Sequence, residues 1–281
     1  MKKIIYGMAK FKDRNYGYGS KIKKNKIDTN KIINYLNKKN LVQAIEVSKR
    51  YKDSVNSSIL FKSKKIHYKV DKIPKKKNLI QNFLNNEINK YLNLKKNIEI
   101  LYLHQNELNI ISNPFILKSL KKIKKKKKIK YIGVSVYTLK ELEYALKSKI
   151  ISVIQIPLNI ADSYLYSKIP SNCKKIIVAR SIFLQGALLN NIKKHPYKNE
   201  IENYIKQIKK FCKKNNLNYF KLVVSYPFNF SKIKYVIISS MFKVNMDRIF
   251  RSIIKINKSK IKMLNLKSKN YKDWKNPKNW K

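Results

Sequence analysis

The sequence predicts an α/β fold, a (β/α)8 barrel in a single domain, on three observations. Eight short β-branched or apolar runs alternate with helix-like segments, the pattern of βαβ units around a parallel sheet. No repeat and no linker divides the chain, and successive runs end on residues of complementary chemistry. In a barrel of this kind the strand ends face the site and the strand middles fill the core.

The strand runs fall at residues 4–9, 41–47, 65–70, 98–104, 130–135, 151–156, 175–180 and 235–239. Helical spacing of apolar residues predicts helices over 29–39, 78–92, 114–126, 139–147, 199–214 and 244–255. Two of them carry start signals. Asn113 precedes a first-turn proline at Pro114, and Thr138 stands before Leu139, Leu142 and Ala145 with acids in the first turn. The stretch after Arg180 reads as a long connection. Residues 1–256 form the barrel on this reading, and 257–281 are a Lys/Asn-rich tail that Trp274 and Trp280 pack down.

Composition bounds the function. The 281 residues carry 66 Lys plus Arg against 15 Asp plus Glu, a formal charge of +51, and 43% are hydrophobic. That apolar content supports a sizeable core and excludes simple disorder. Such a charge suggests a polyanion partner, but only five of the cations are arginine and the lysines run through every segment beside Asn and Ile. Specific nucleic-acid readers draw on arginine for bidentate contacts, so the excess reads as the bias of an AT-rich genome. The block at residues 121–130 reads as a solvated helix end. No stretch has the roughly 18 apolar residues of a membrane span, and no signal-peptide core follows Met1. A cytoplasmic protein is expected. Cys173, Cys212 and three histidines show no zinc-ligand spacing, so no metal is expected.

The strand ends offer Glu46, Lys69, His104, Ser135, Gln155 and Arg180, with Tyr51 just past the second strand. An acid, a tyrosine, a lysine and a histidine form a coherent proton-transfer set. An ammonium group lowers a tyrosine pKa, a carboxylate orients the ammonium, and a neutral imidazole hydrogen-bonds a carbonyl oxygen.

Local motifs along almost the whole chain resemble the aldo-keto reductase family. They are Ile98 to His104, Ile129-Lys130-Tyr131-Ile132-Gly133-Val134-Ser135-Val136-Tyr137, Val153-Ile154-Gln155-Ile156-Pro157-Leu158-Asn159, and the run from Ile177 through Arg180 to Leu189. Gly7 to Phe11 with Asn15-Tyr16-Gly17 is similar to the family's opening, and Asn276-Pro277 with Trp280 to its ending. Lys65 to Lys69 matches the strand that ends in the catalytic lysine. The second strand departs from the pattern. Ala44 to Ser54 keeps Tyr51 but has Glu46 where the family has aspartate and Lys52 where it has glycine. Ile27-Asp28-Thr29 imitates the Asp-Thr pattern but precedes the first helix, and Gly17-Tyr18-Gly19 lacks the third glycine of a dinucleotide fingerprint.

The resemblance implies reduction of an aldehyde or ketone, with a sugar-derived carbonyl as one candidate, by a nicotinamide cofactor, NADP(H) in preference to NAD(H). It makes Tyr51 the proton donor, Lys69 its activator, Glu46 the orienting acid and His104 the carbonyl polariser. Ser135 and Gln155 would bond the nicotinamide amide, and Arg180 would stack on its ring. Ser181, Phe183, Gln185 and Gly186 would line the pyrophosphate loop, and Ser239, Ser240, Lys243 and Arg248 would hold a 2′-phosphate. The alternative is a barrel that has lost its chemistry and acts by binding, for which Glu46, Lys52 and the missing glycine near Ser239 speak.

Overall fold

Eight parallel strands pair in chain order and close on themselves in the computed structural model, which describes residues 3–11, 29–51, 53–62, 64–93, 98–126, 129–189, 192, 195–267 and 273–280. They are β1 Lys3–Gly7, β2 Val42–Ser48, β3 Lys65–Val70, β4 Ile98–Leu103, β5 Tyr131–Ser135, β6 Val153–Pro157, β7 Ile176–Arg180 and β8 Ile233–Ile238. Each lies within two residues of a run expected from the sequence. The first strand stops earlier than expected, because Met8–Lys10 tightens into a 3-10 turn. The (β/α)8 barrel is therefore the fold of this chain. Asn15 to Gly19, Asp28 and Lys52 lie outside the described residues.

Helices cover the strands from outside: α1 Thr29–Asn37, α2 Ser54–Ser57, α3 Lys77–Leu92, α4 Leu108–Ile111, α5 Pro114–Lys126, α6 Leu139–Lys147, α7 Tyr164–Ser167, α8 Lys198–Lys214, α9 Tyr219–Ser225, α10 Lys243–Arg251 and α11 Lys258–Lys267. The expected start signals act as caps. Asn113 Oδ1 accepts from the N–H groups of Phe115 and Ile116 at 3.0 and 3.2 Å, and Thr138 and Glu141 form a reciprocal capping box on α6. Along α5, Ile116, Leu120 and Ile123 are buried while Lys121, Lys122 and Lys125 are exposed, so the described part of the lysine block is a solvated face. Five helices were not anticipated, the single turns α2, α4 and α7 and the longer α9 and α11. The run Tyr219–Ser225 is rich in β-branched residues, and α11 lies in what read as an irregular tail.

Residues alternate along the strands between two cores. Ile45, Val47, Ile66, Leu101, Leu103 and Ile154 face the helices. Ile5, Ala44, Ile100, Tyr102, Val153 and Val178 fill the barrel interior. Gly133 of β5 admits the Tyr102 ring, whose atoms would lie 2.4 Å from a Cβ there. Near the starts of β3 and β4, Glu99 binds Lys65 at 2.6 Å and the fully buried His67 at 3.1 Å. Trp274 is buried against Tyr204, and Trp280 lies edge-on to His195. No helix among the described residues is long and apolar enough to cross a membrane.

Candidate active site

The registers Ser48↔Lys69 and Val70↔Leu103 bring the ends of β2, β3 and β4 together at one mouth of the barrel. Glu46 and Lys69 point inward there, 3% and 5% exposed, and pair at 2.7 Å between Oε1 and Nζ. The other carboxylate oxygen of Glu46 accepts from the side-chain amide of Gln155, which is wholly buried on β6. The acid, one methylene longer than aspartate, thus reaches both the lysine on the neighbouring strand and the amide across the interior. Charge-assisted bonds from two sides suit a carboxylate removed from water.

His104 follows β4, its N–H bonded to the carbonyl of Val70 at 2.8 Å. Burial, with the nearby charges of Lys69, Arg50 and Arg180, holds its pKa down at about 3. The ring is neutral at physiological pH, and Ser48 is its hydrogen-bond partner. The Ser48 Oγ lies 3.0 Å from His104 Nδ1 and accepts from the Arg50 N–H at 3.3 Å. A serine proton directed at Nδ1 would place the ring N–H on Nε2. Ser48 belongs to the site although sequence reasoning gave it no role. Its position two residues beyond Glu46 on the same strand face was the available signal.

Tyr51 sits in the turn after β2, where Ser54 ties back to the Ser48 carbonyl at 2.7 Å and Asp53 takes a left-handed φ of 53°. Its ring meets His104 edge-on with centroids 5.5 Å apart. Among the described residues it makes no hydrogen bond to Lys69, whose ammonium is held by Glu46. Its pKa is raised well above 10, by burial first and then by Glu46 and Tyr137, against opposing influences from Arg180 and Arg50.

The expected cofactor residues divide by place. Arg180 donates from Nε to Ser135 Oγ at 2.9 Å, from Nη1 to Ser181 Oγ at 3.2 Å and from Nη2 to the Val136 carbonyl at 3.0 Å, and its guanidinium lies on the Tyr137 ring at 3.9 Å. Ser181, Leu184 and Gln185 take positive φ values beside Gly186, so the loop after β7 carries strained backbone at a cavity wall. That cavity, about 1100 Å³, runs from Glu46, Lys69, Tyr51 and His104 past Ser135, Arg180, Ser181, Phe183, Gln185 and Gly186 to Ser239, Ser240 and Arg248. Two expected residues lie elsewhere. Gln155 is spent on Glu46 beneath the cavity floor, and the Lys243 ammonium lies over the Tyr35 ring at 5.1 Å instead of lining the wall. Asn245, which the sequence did not single out, lines it.

A nicotinamide dinucleotide fits these features. The cavity exceeds the roughly 300–1,000 Å³ of ordinary small-molecule sites. The Ser239 hydroxyl at its far end is buried without a hydrogen-bond partner among the described residues, and the first turn of α10 follows within a few residues, with the free N–H groups that favour anions.

Residues 3–269 match the model of the aldo/keto reductase family, so the chain belongs to that family, as the strand-end motifs implied. Among solved structures it is similar to an aldo-keto reductase of Bacillus halodurans in its holo form, with TM-score 0.72, 13% identity, and coverage of 98% of this chain and 95% of the other. It is also similar to a glycerol dehydrogenase of Gluconobacter oxydans, with TM-score 0.66, 13% identity, and coverage of 93% and 90%. At these identities the likeness is one of fold. No curated protein sequence matches the chain.

Proposed function

We propose that the protein reduces an aldehyde or ketone to an alcohol with a nicotinamide cofactor, NADP(H) in preference to NAD(H). The observation that carries the reading is the gathering of Tyr51, Lys69, Glu46 and His104 at one wall of a cavity large enough for dinucleotide and substrate together. When bound, the cofactor supplies the hydride. The chain supplies the rest. His104 donates its Nε2 proton in a hydrogen bond to the carbonyl oxygen, and Tyr51 transfers its phenolic proton to that oxygen as charge develops on it. Glu46 holds Lys69 at the floor, and Gln155 holds Glu46 instead of meeting the nicotinamide amide. Arg180, its plane fixed by Ser135 and Tyr137, would face the nicotinamide ring.

Ser181, Phe183, Gln185 and Gly186 line the path of the pyrophosphate, with Ser239, Ser240 and Arg248 beyond it toward a 2′-phosphate. Arg248 rests over the Phe220 ring at 4.0 Å, a placement compatible with clamping an anion. A sugar-derived carbonyl compound remains the substrate reading. Residues 1–256 act as the barrel unit and 257–281 as a tail over it, supported by the burial of Trp274.

Fluorescence titration with NADPH and NADH, followed by cofactor oxidation with a panel of aldehydes, tests this reading. Tight NADPH binding with turnover is expected. Binding without turnover would favour the second reading, a barrel that binds but no longer reduces, for which the absence of a Tyr51–Lys69 bond among the described residues speaks.

A further inference from the structure

We propose that this mouth selects carbonyl substrates bearing an anionic group, a carboxylate or phosphate, which the Arg50 guanidinium holds beside Tyr51 and His104. The inference rests on carbonyl reduction at the same mouth. Arg50 immediately precedes Tyr51 and lines the cavity with it, His104 and Asn106. Its side chain is 58% exposed, whereas that of its partner Asp71, just past β3, is 7% exposed.

One oxygen of Asp71, Oδ2, receives both the Nε donor at 2.8 Å and the Nη2 donor at 2.6 Å. A guanidinium has five N–H donors, so Asp71 fixes its plane with two and leaves the Nη1 edge without a partner among the described residues. The other cations at this end of the cavity among the described residues are committed. Lys69 is bound to Glu46, and Arg180 is bound to Ser135, Ser181 and the Val136 carbonyl. Arg50 also exerts its charge on both Tyr51 and His104, which puts it within Coulombic reach of the reacting oxygen's two neighbours. An oriented planar fork recognises a carboxylate or phosphate by two parallel bonds, as a flexible lysine does not. The net charge of +51 adds long-range attraction for anions, but only the fork distinguishes one carbonyl compound from another.

The test compares kcat/KM with NADPH for 4-oxobutanoate against butanal, and for glyceraldehyde 3-phosphate against glyceraldehyde, at low and high salt. The first pair reports a carboxylate and the second a phosphate. At least one anionic member should be preferred about tenfold or more, chiefly through KM, and the preference should shrink with salt. Arg50→Gln should reduce that ratio about tenfold, while Arg50→Lys should keep part of it. Because the ratio is taken within one variant, a general loss of rate from disturbing Tyr51 cancels. Equal use of anionic and neutral members, or a ratio unchanged in Arg50→Gln, overturns the proposal while leaving carbonyl reduction intact.

If nothing is turned over, calorimetric titration with succinate and with inorganic phosphate decides. Affinity about tenfold weaker in Arg50→Gln, with wild-type melting behaviour, upholds the anion site although the reductase reading fails. Equal affinity overturns it.

Discussion

Glu46 departs from the family motif and still pairs with the lysine on the neighbouring strand. The added methylene lets one carboxylate serve Lys69 and Gln155 together. If the Glu46–Lys69 pair is functional, Glu46→Asp, which keeps a carboxylate for the lysine and forfeits the Gln155 bond, should change kcat by less than about tenfold, roughly 1.4 kcal/mol, in steady-state assays with saturating NADPH. A gain of several hundredfold would mean that the longer acid had disabled the site. Gln155→Leu should lower kcat while leaving the NADPH dissociation constant within about threefold, because its amide supports the acid beneath the cavity. A large loss of cofactor affinity with unchanged kcat would return Gln155 to the nicotinamide amide. Tyr51→Phe should abolish turnover and leave NADPH binding nearly unchanged, since the hydroxyl is needed only as a proton source. For His104 the sign follows from a pKa lowered from 6.5 to about 3. The unfolded chain binds this proton more readily, so the stability contributed by the neutral ring is complete above about pH 6.5 and is lost as pH falls toward 3. NMR titration of the His104 ring should show no protonation between pH 8 and 5; a midpoint near 6.5 would contradict the burial described.

At the level of elements, the expected strands were legible because apolar runs, turn residues and strand-end chemistry agreed with one another. The site followed for the same reason, since alternation places Glu46 and Lys69 on inward faces. What stayed illegible was pairing. Nothing in the sequence tells that Gln155 reaches Glu46, that Ser48 orients His104 or that Lys243 turns to Tyr35, because these depend on barrel closure and on long side chains with several reachable partners. Helix α9 was missed because Val223 and Val224 lower its helical preference, and burial against the barrel overrides propensity. Gly133 has a clear consequence. A methyl group there would collide with the Tyr102 ring, so Gly133→Ala should destabilise the protein by about 1–3 kcal/mol in urea unfolding. A loss under half a kcal/mol would mean that the ring can yield.

Across the whole molecule, 15 acids cannot neutralise 66 cations, and the fold finds other acceptors. Lys64 donates to the Lys39 carbonyl at 2.9 Å, Lys175 to the carbonyls of Ser148 and Ile151, and Lys260 to that of Asn215 at 2.8 Å. Other ammonium groups lie over aromatic rings, among them Lys39 and Lys243 on Tyr35, Lys77 on Phe115 and Lys209 on Tyr219. Such contacts orient cations without removing their mutual repulsion. The melting temperature should therefore rise as ionic strength increases from about 10 to 150 mM, where the screening length falls to roughly 8 Å. A flat or falling curve would show that the repulsion is already compensated.

The bond between Glu46 and Gln155 also bears on descent. Strands β2 and β6 are not neighbours in the barrel, so the bond is a strut joining facing walls, and each end fixes what the other can become. An ancestor with aspartate at 46 would have left the amide at 155 free for another partner. With the longer acid on that amide, a return to aspartate would strand a buried donor, and a change at 155 would leave one oxygen of Glu46 without its donor. Neither step is neutral for stability alone, so the pair should be inherited together among close descendants of this chain.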